Sequence, residues 1–170
     1  MWTDSKRHYH NINHLIDILT YIEKNRNKIE SYNDYICLLL ASFMHDVYYV
    51  PSDKFNEDKC IDLLKRNYIS SDITILKRSI ELIETTKYRK IPTNKTTKLF
   101  WLADNSILLS DLNNLKKYEN NIRKEFSFVN DRIYKEKRIE FLKSNLGMFG
   151  KTVDDNILNL INFVENIYKK

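Results

Sequence analysis

The chain has 170 residues and a mass of 20.5 kDa, the size of one domain that buries a core without needing disulfides. A hydrophobic content of 42% excludes a disordered chain, and only two Gly and two Pro leave too few tight turns for an all-β protein, so one all-α domain over residues 1–170 is expected. The net charge of +5 is carried by acidic and basic residues interleaved along the sequence, which argues for a solvated mixed-charge surface and against a nucleic-acid partner, while a modest positive field suits an anionic substrate.

Taken in chain order, apolar positions from Ile12 to Ile22 recur at helical spacing and predict helix one over Asn11 to Glu30. Tyr35 to Tyr48 is apolar almost all round and predicts a central helix two, with Asn33 or Asp34 as its cap. Pro51 breaks that run, and helix three is expected from Phe55 or Asn56, with Asn56 as cap, to about Tyr68. Helix four follows Ser70, Ser71 and Asp72 and ends around Thr86, before a loop from Tyr88 to Asn94 containing Pro92. Helix five, Lys95 to Ser110, is again apolar nearly all round and should lie inside. A long amphipathic stretch from Asn114 to Leu146 breaks near Phe126, and Gly147 and Gly150 precede a last helix, Val153 to Tyr168. Cys37 and Cys60 stand in no zinc or disulfide spacing and are expected as buried reduced thiols; the longest apolar run, Ile36 to Met44, is too short to span a bilayer. A soluble, cytoplasmic protein without membrane contact is the expectation, with the oligomeric state left open.

The chemistry is concentrated in few residues. Three of the four histidines, His8, His10 and His14, lie in one short segment, and the i, i+4 spacing of His10 and His14 would stack them on one face if both are helical. His45 and Asp46 end the most apolar helix, where Leu38 to Met44 offers no partner for a charge. Asp104 likewise interrupts an apolar run in helix five. An isolated buried carboxylate costs several kcal/mol, and a divalent cation would satisfy these carboxylates and imidazoles together.

The order His14, then His45-Asp46, then Asp104 resembles the metal site of the HD-domain superfamily of phosphohydrolases, and Tyr9-His10-Asn11-Ile12-Asn13-His14 is similar to the YHNxxH segment of cyclic-nucleotide phosphodiesterases. Over most of the chain, Arg7 to His10, Asn56-Glu57, Thr85 to Lys87 and Tyr118 to Glu125 resemble a small group of bacterial-type HD hydrolases. The resemblance implies an HD-like bundle of about six to eight helices. It also implies one divalent ion (Mn, Zn, Mg, Ni, Co or Fe) held by His14, His45, Asp46 and Asp104, with metal-activated water attacking phosphorus and His10 as general acid. Glu57 is the candidate for positioning the water, and Arg7, Lys87, Arg123 and Arg138 are candidate clamps on a phosphorylated substrate, with a nucleotide the leading class. Tyr88 stands near where a histidine for a second metal would fall, so a mononuclear site is expected. The competing expectation is a catalytically silent HD-fold module that binds a nucleotide or a partner.

Overall fold

A computed structural model describes residues 1–87 and 91–167. Among these residues there are eight α-helices and no strand, the all-α architecture that the scarcity of Gly and Pro requires. No helix among them is long and apolar enough to cross a membrane. Both cysteines are unpaired and buried, as expected. The chain falls into two compact units, Met1–Asp104 and the segment from Asn105 onward.

The first unit contains α1 (Ile12–Lys24), α2 (Tyr32–Met44), α3 (Asn56–Asn67), α4 (Ile73–Thr85) and α5 (Lys95–Asp104). Helix α2 packs against all four of the others, as its apolar character demands. Its buried Cys37, Leu38 and Ala41 meet Ile18 and Ile22 of α1, Leu82 and Ile83 of α4, and Phe100 and Ala103 of α5 in one core. Side chains at the helix starts satisfy the unpaired backbone amides there. Asn11 accepts from the Asn13 amide at 2.9 Å, Ser31 from Asp34 at 3.0 Å and Asp72 from Thr74 at 3.0 Å.

Several boundaries differ from the sequence expectation. Asn11 is the cap of α1 and not its first residue, so His10 lies outside the helix and the stacked i, i+4 pair does not form. Helix α2 is capped by Ser31, not by Asn33 or Asp34, and starts three residues earlier than expected; Asp34 instead closes a reciprocal hydrogen bond with Ser31 and pairs with Arg78. Asn56 is not a cap either: its side chain bonds the Val50 amide and carbonyl and the Asp53 carbonyl, all between 2.8 and 2.9 Å, tying down the loop after α2. Helix five stops at Asp104, and Ser106–Leu109 tightens into a 3-10 turn, which hydrophobic periodicity does not distinguish from α-helix over four residues.

In the second unit, α6 (Leu112–Glu125), α7 (Asp131–Ser144) and α8 (Lys151–Ile167) follow that turn, and α8 packs against both α6 and α7. The break expected near Phe126 is the C-cap of α6. Gly147 and Gly150 have φ of +80° and +97°, the left-handed conformation that glycine adopts without strain, and they reverse the chain between α7 and α8. A buried ion pair joins α6 to α7: Arg138 Nε donates to Glu119 Oε2 at 2.6 Å, and the Tyr134 hydroxyl donates to Glu119 Oε1 at 2.6 Å.

Candidate metal centre

All four expected ligands lie in the first unit, each placed by a helix end. His14 sits in the first turn of α1, turned inward by the Asn11 cap and only 4% exposed. His45 is the C-cap of α2, Asp46 follows it, and Asp104 is the last residue of α5. His14, His45 and Asp104 bring one ligand atom each within 4.8 Å of one another, while Asp46 lies beside the two histidines outside that group. His14 Nε2 is 3.2 Å from Asp104 Oδ1, 3.5 Å from His45 Nε2 and 3.9 Å from Asp46 Oδ2. His45 Nε2 lies 3.5 Å from both Asp46 Oδ2 and Asp104 Oδ1.

The donors of His14, His45 and Asp104 fit a divalent cation. An ion bound at about 2.0–2.2 Å by nitrogen and carboxylate oxygen keeps neighbouring ligand atoms roughly 3–3.5 Å apart, close to the separations found here. The His45 ring is oriented for the task, because its Nδ1 lies 3.0 Å from the Ser42 carbonyl. A carbonyl only accepts, so Nδ1 carries the proton and the Nε2 lone pair faces the cluster when the ring is neutral. The two carboxylates bring two negative charges into a largely buried place, and a cation offsets what burial alone would cost.

Without a metal, a proton takes that part. Burial pulls the His45 imidazolium down, but the charges of Asp46 and Asp104 outweigh it and raise the group to about 9. Burial pushes the Asp104 carboxyl up, yet hydrogen bonds from His14 and His45 hold it well below the ordinary carboxylate range. The linkage has a definite sign. The folded His45 value of about 9 exceeds its ordinary 6.5, so its contribution to metal-free stability is complete below pH 6.5 and is lost as pH rises through 9. Metal must displace that proton, so affinity should fall about tenfold for each pH unit below 9. Melting curves with chelator and with Mn check this: the metal-free melting temperature should decline from pH 6.5 to 9 while the increment from added metal grows.

His10 lies beside the cluster without joining it. Its half-buried ring stacks on Tyr49 at a centroid distance of 4.0 Å and meets His14 edge-on at 5.7 Å. Arg7, expected as an anion clamp, has its guanidinium turned onto backbone: it donates to the carbonyls of Asp46 at 2.6 Å, Val47 at 3.2 Å and His10 at 3.4 Å, between Trp2 and Tyr49. It thus ties the His10 segment to the Asp46 segment. Arg7→Gln should weaken metal binding by about 10–100-fold, the range for residues that orient ligands, measured by competition with a chromophoric chelator.

Glu57 is half-buried in the first turn of α3. Lys87 pairs with Asp58 of that helix. In the second unit, Arg123 donates to the Phe126 and Val129 carbonyls and to Asp131, and Arg138 is committed to Glu119. Tyr88 lies outside the described residues. Ser42 and Trp2 were not singled out from sequence. Ser42 stands three residues before His45, the spacing at which a ring at a helix end reaches back to a carbonyl, and the Trp2 indole donates to the Phe43 carbonyl at 3.0 Å. Comparison with family models, curated proteins and solved structures gives no significant match.

Proposed function

We propose that the chain is a metal-dependent phosphohydrolase of the HD type, a soluble cytoplasmic enzyme acting on a nucleotide or another small phosphorylated compound with one divalent ion per chain. The observation that carries this reading is the cluster of His14, His45 and Asp104, whose ligand atoms lie within 4.8 Å of one another, with Asp46 Oδ2 3.5 Å from His45 Nε2 and 3.9 Å from His14 Nε2, in the chain order the HD resemblance implies. When bound, the ion supplies Lewis acidity, acidifying water and withdrawing charge from a phosphoryl oxygen.

The remaining work falls to side chains. Stacked on Tyr49, the His10 imidazole is held in one orientation close to the ligands, where it donates a proton to the departing oxygen. Arg7 keeps the His10 and Asp46 backbones in register. Glu57 is the candidate for orienting water, and the net charge of +5 favours an anionic substrate.

A screen of nucleotides and phosphorylated metabolites with Mn, Co, Ni, Zn, Mg and Fe tests this reading, with Asp46→Ala as the blank. Phosphate release should disappear in the blank and fall by about 10²–10⁴-fold in His10→Ala, which should still hold metal. Release that persists in Asp46→Ala would refute the assignment. Stoichiometric nucleotide binding without turnover would replace the enzyme by a binding module of the same fold.

A further inference from the structure

A cleft of about 510 Å³ opens between the C-terminal end of α1 and the N-terminal half of α5, away from the four metal ligands, none of which lines it. Its volume is in the range of about 300–1,000 Å³ that small-molecule sites occupy. The floor is apolar, formed by Tyr21, Leu99 and Leu102, and the rim carries Lys28, Lys95 and Lys98. Counted from His14 along α1 and from Asp104 along α5, Tyr21 and the two α5 lysines stand roughly 9–14 Å along the helix axes, while Leu102 is about 3 Å from Asp104, so the basic end of the cleft lies apart from the metal centre and its apolar end approaches α5's last turn.

The charges on this rim are not balanced internally. Glu30 is the one acidic residue lining the cleft, and it pairs with Lys95 at 2.6 Å. Lys28 is held to the rim by donating to Asn25 Oδ1 at 2.7 Å, and Asn25 in turn donates to the Tyr21 carbonyl at 2.8 Å. Lys98 has no ion-pair partner among the described residues. Lys95 and Lys98 also occupy the start of α5, where the helix dipole disfavours cations and favours an anion. Glu30 answers Lys95 there and Asn94 caps the helix by accepting from the Thr96 and Thr97 amides, which leaves Lys98 as the rim cation of α5 with no acidic partner among the described residues.

We propose that this cleft is a second ligand site, separate from the metal centre, for a small organic phosphate whose apolar or aromatic body lies on Tyr21, Leu99 and Leu102 while its phosphate meets Lys28 and Lys98. The shape carries both halves of that assignment: phosphate alone would leave the floor uncovered, and an uncharged molecule would leave the lysines unpaired.

Titration calorimetry on the full chain in the presence of chelator separates this site from the hydrolase reading, since no metal chemistry is involved. The probes are adenosine 5′-monophosphate, adenosine and inorganic phosphate. The monophosphate should bind wild type and Asp104→Ala equally, and Lys28→Glu with Lys98→Glu should weaken it at least about tenfold. Both lysines are exposed, so the double variant should keep the wild-type circular dichroism. Absence of heat at millimolar monophosphate would overturn the proposal, as would binding indifferent to the two charge reversals or abolished by Asp104→Ala. Equal affinity for inorganic phosphate would overturn the organic-phosphate assignment.

Discussion

Asp104→Ala should abolish retention of the metal, lowering affinity by more than the about 10–100-fold expected for a residue that merely orients a ligand. Asp104 Oδ1 lies 3.2 Å from His14 Nε2 and 3.5 Å from His45 Nε2, nearer to His14 than the Asp46 carboxylate does at 3.9 Å. Its loss removes one donor and half of the negative charge that draws a cation into the cluster. The metal-free variant should carry a second mark. Burial lowers the His45 imidazolium, and Asp104 is one of the two carboxylates that raise it to about 9. With that carboxylate gone, His45 should titrate well below 9, read by NMR of the ring protons. An Asp104→Ala protein that binds metal as wild type does would show that Asp104 is not a ligand.

The largest loss of stability is expected from Glu119→Ala in the second unit. Glu119 is 1% exposed and Arg138 7% exposed, and the guanidinium lies over the Tyr118 and Phe141 rings at 4.7 and 4.8 Å. Arginine stays charged at any ordinary pH, so removing its carboxylate strands a buried cation. Breaking such a pair costs about 3–5 kcal/mol, measurable by denaturant unfolding. Removing both charges, as in Glu119→Leu with Arg138→Met, should recover most of that loss, because apolar replacement of a buried pair is often neutral. If Arg138 serves the substrate, the double variant loses phosphate release without losing stability. If its part is structural, activity and stability move together in Glu119→Ala and recover together in the double variant.

Much of this arrangement could be read from the residues. Helices two and five, apolar nearly all round, are α2 and α5 in the core of the first unit. The proximity of His14, His45 and Asp104 was legible because a carboxylate that interrupts an apolar run needs a positive or donor partner wherever the helices go. Arg7 was not legible in this way, since a guanidinium reads alike in sequence whether it faces a phosphate or the Asp46 carbonyl. The start of α1 was misplaced because Asn11 fits both the cap and the first helical turn, and only its bond to the Asn13 amide decides between them. The division into two units was equally hidden: no Gly or Pro marks the boundary, and the polar Asp104, Asn105 and Ser106 are too short a stretch between apolar runs to read as a linker. The lysines of the cleft are exposed surface charges in any sequence pattern, and they acquire meaning only when α1 and α5 set them around one apolar floor.

The most direct test is anomalous diffraction from crystals grown with Mn or Zn. The account predicts one strong peak per chain, at about 2.0–2.2 Å from the side-chain donors of His14, His45, Asp46 and Asp104. A chain that binds the ion elsewhere, or leaves these four side chains without a peak at saturating metal, would contradict it.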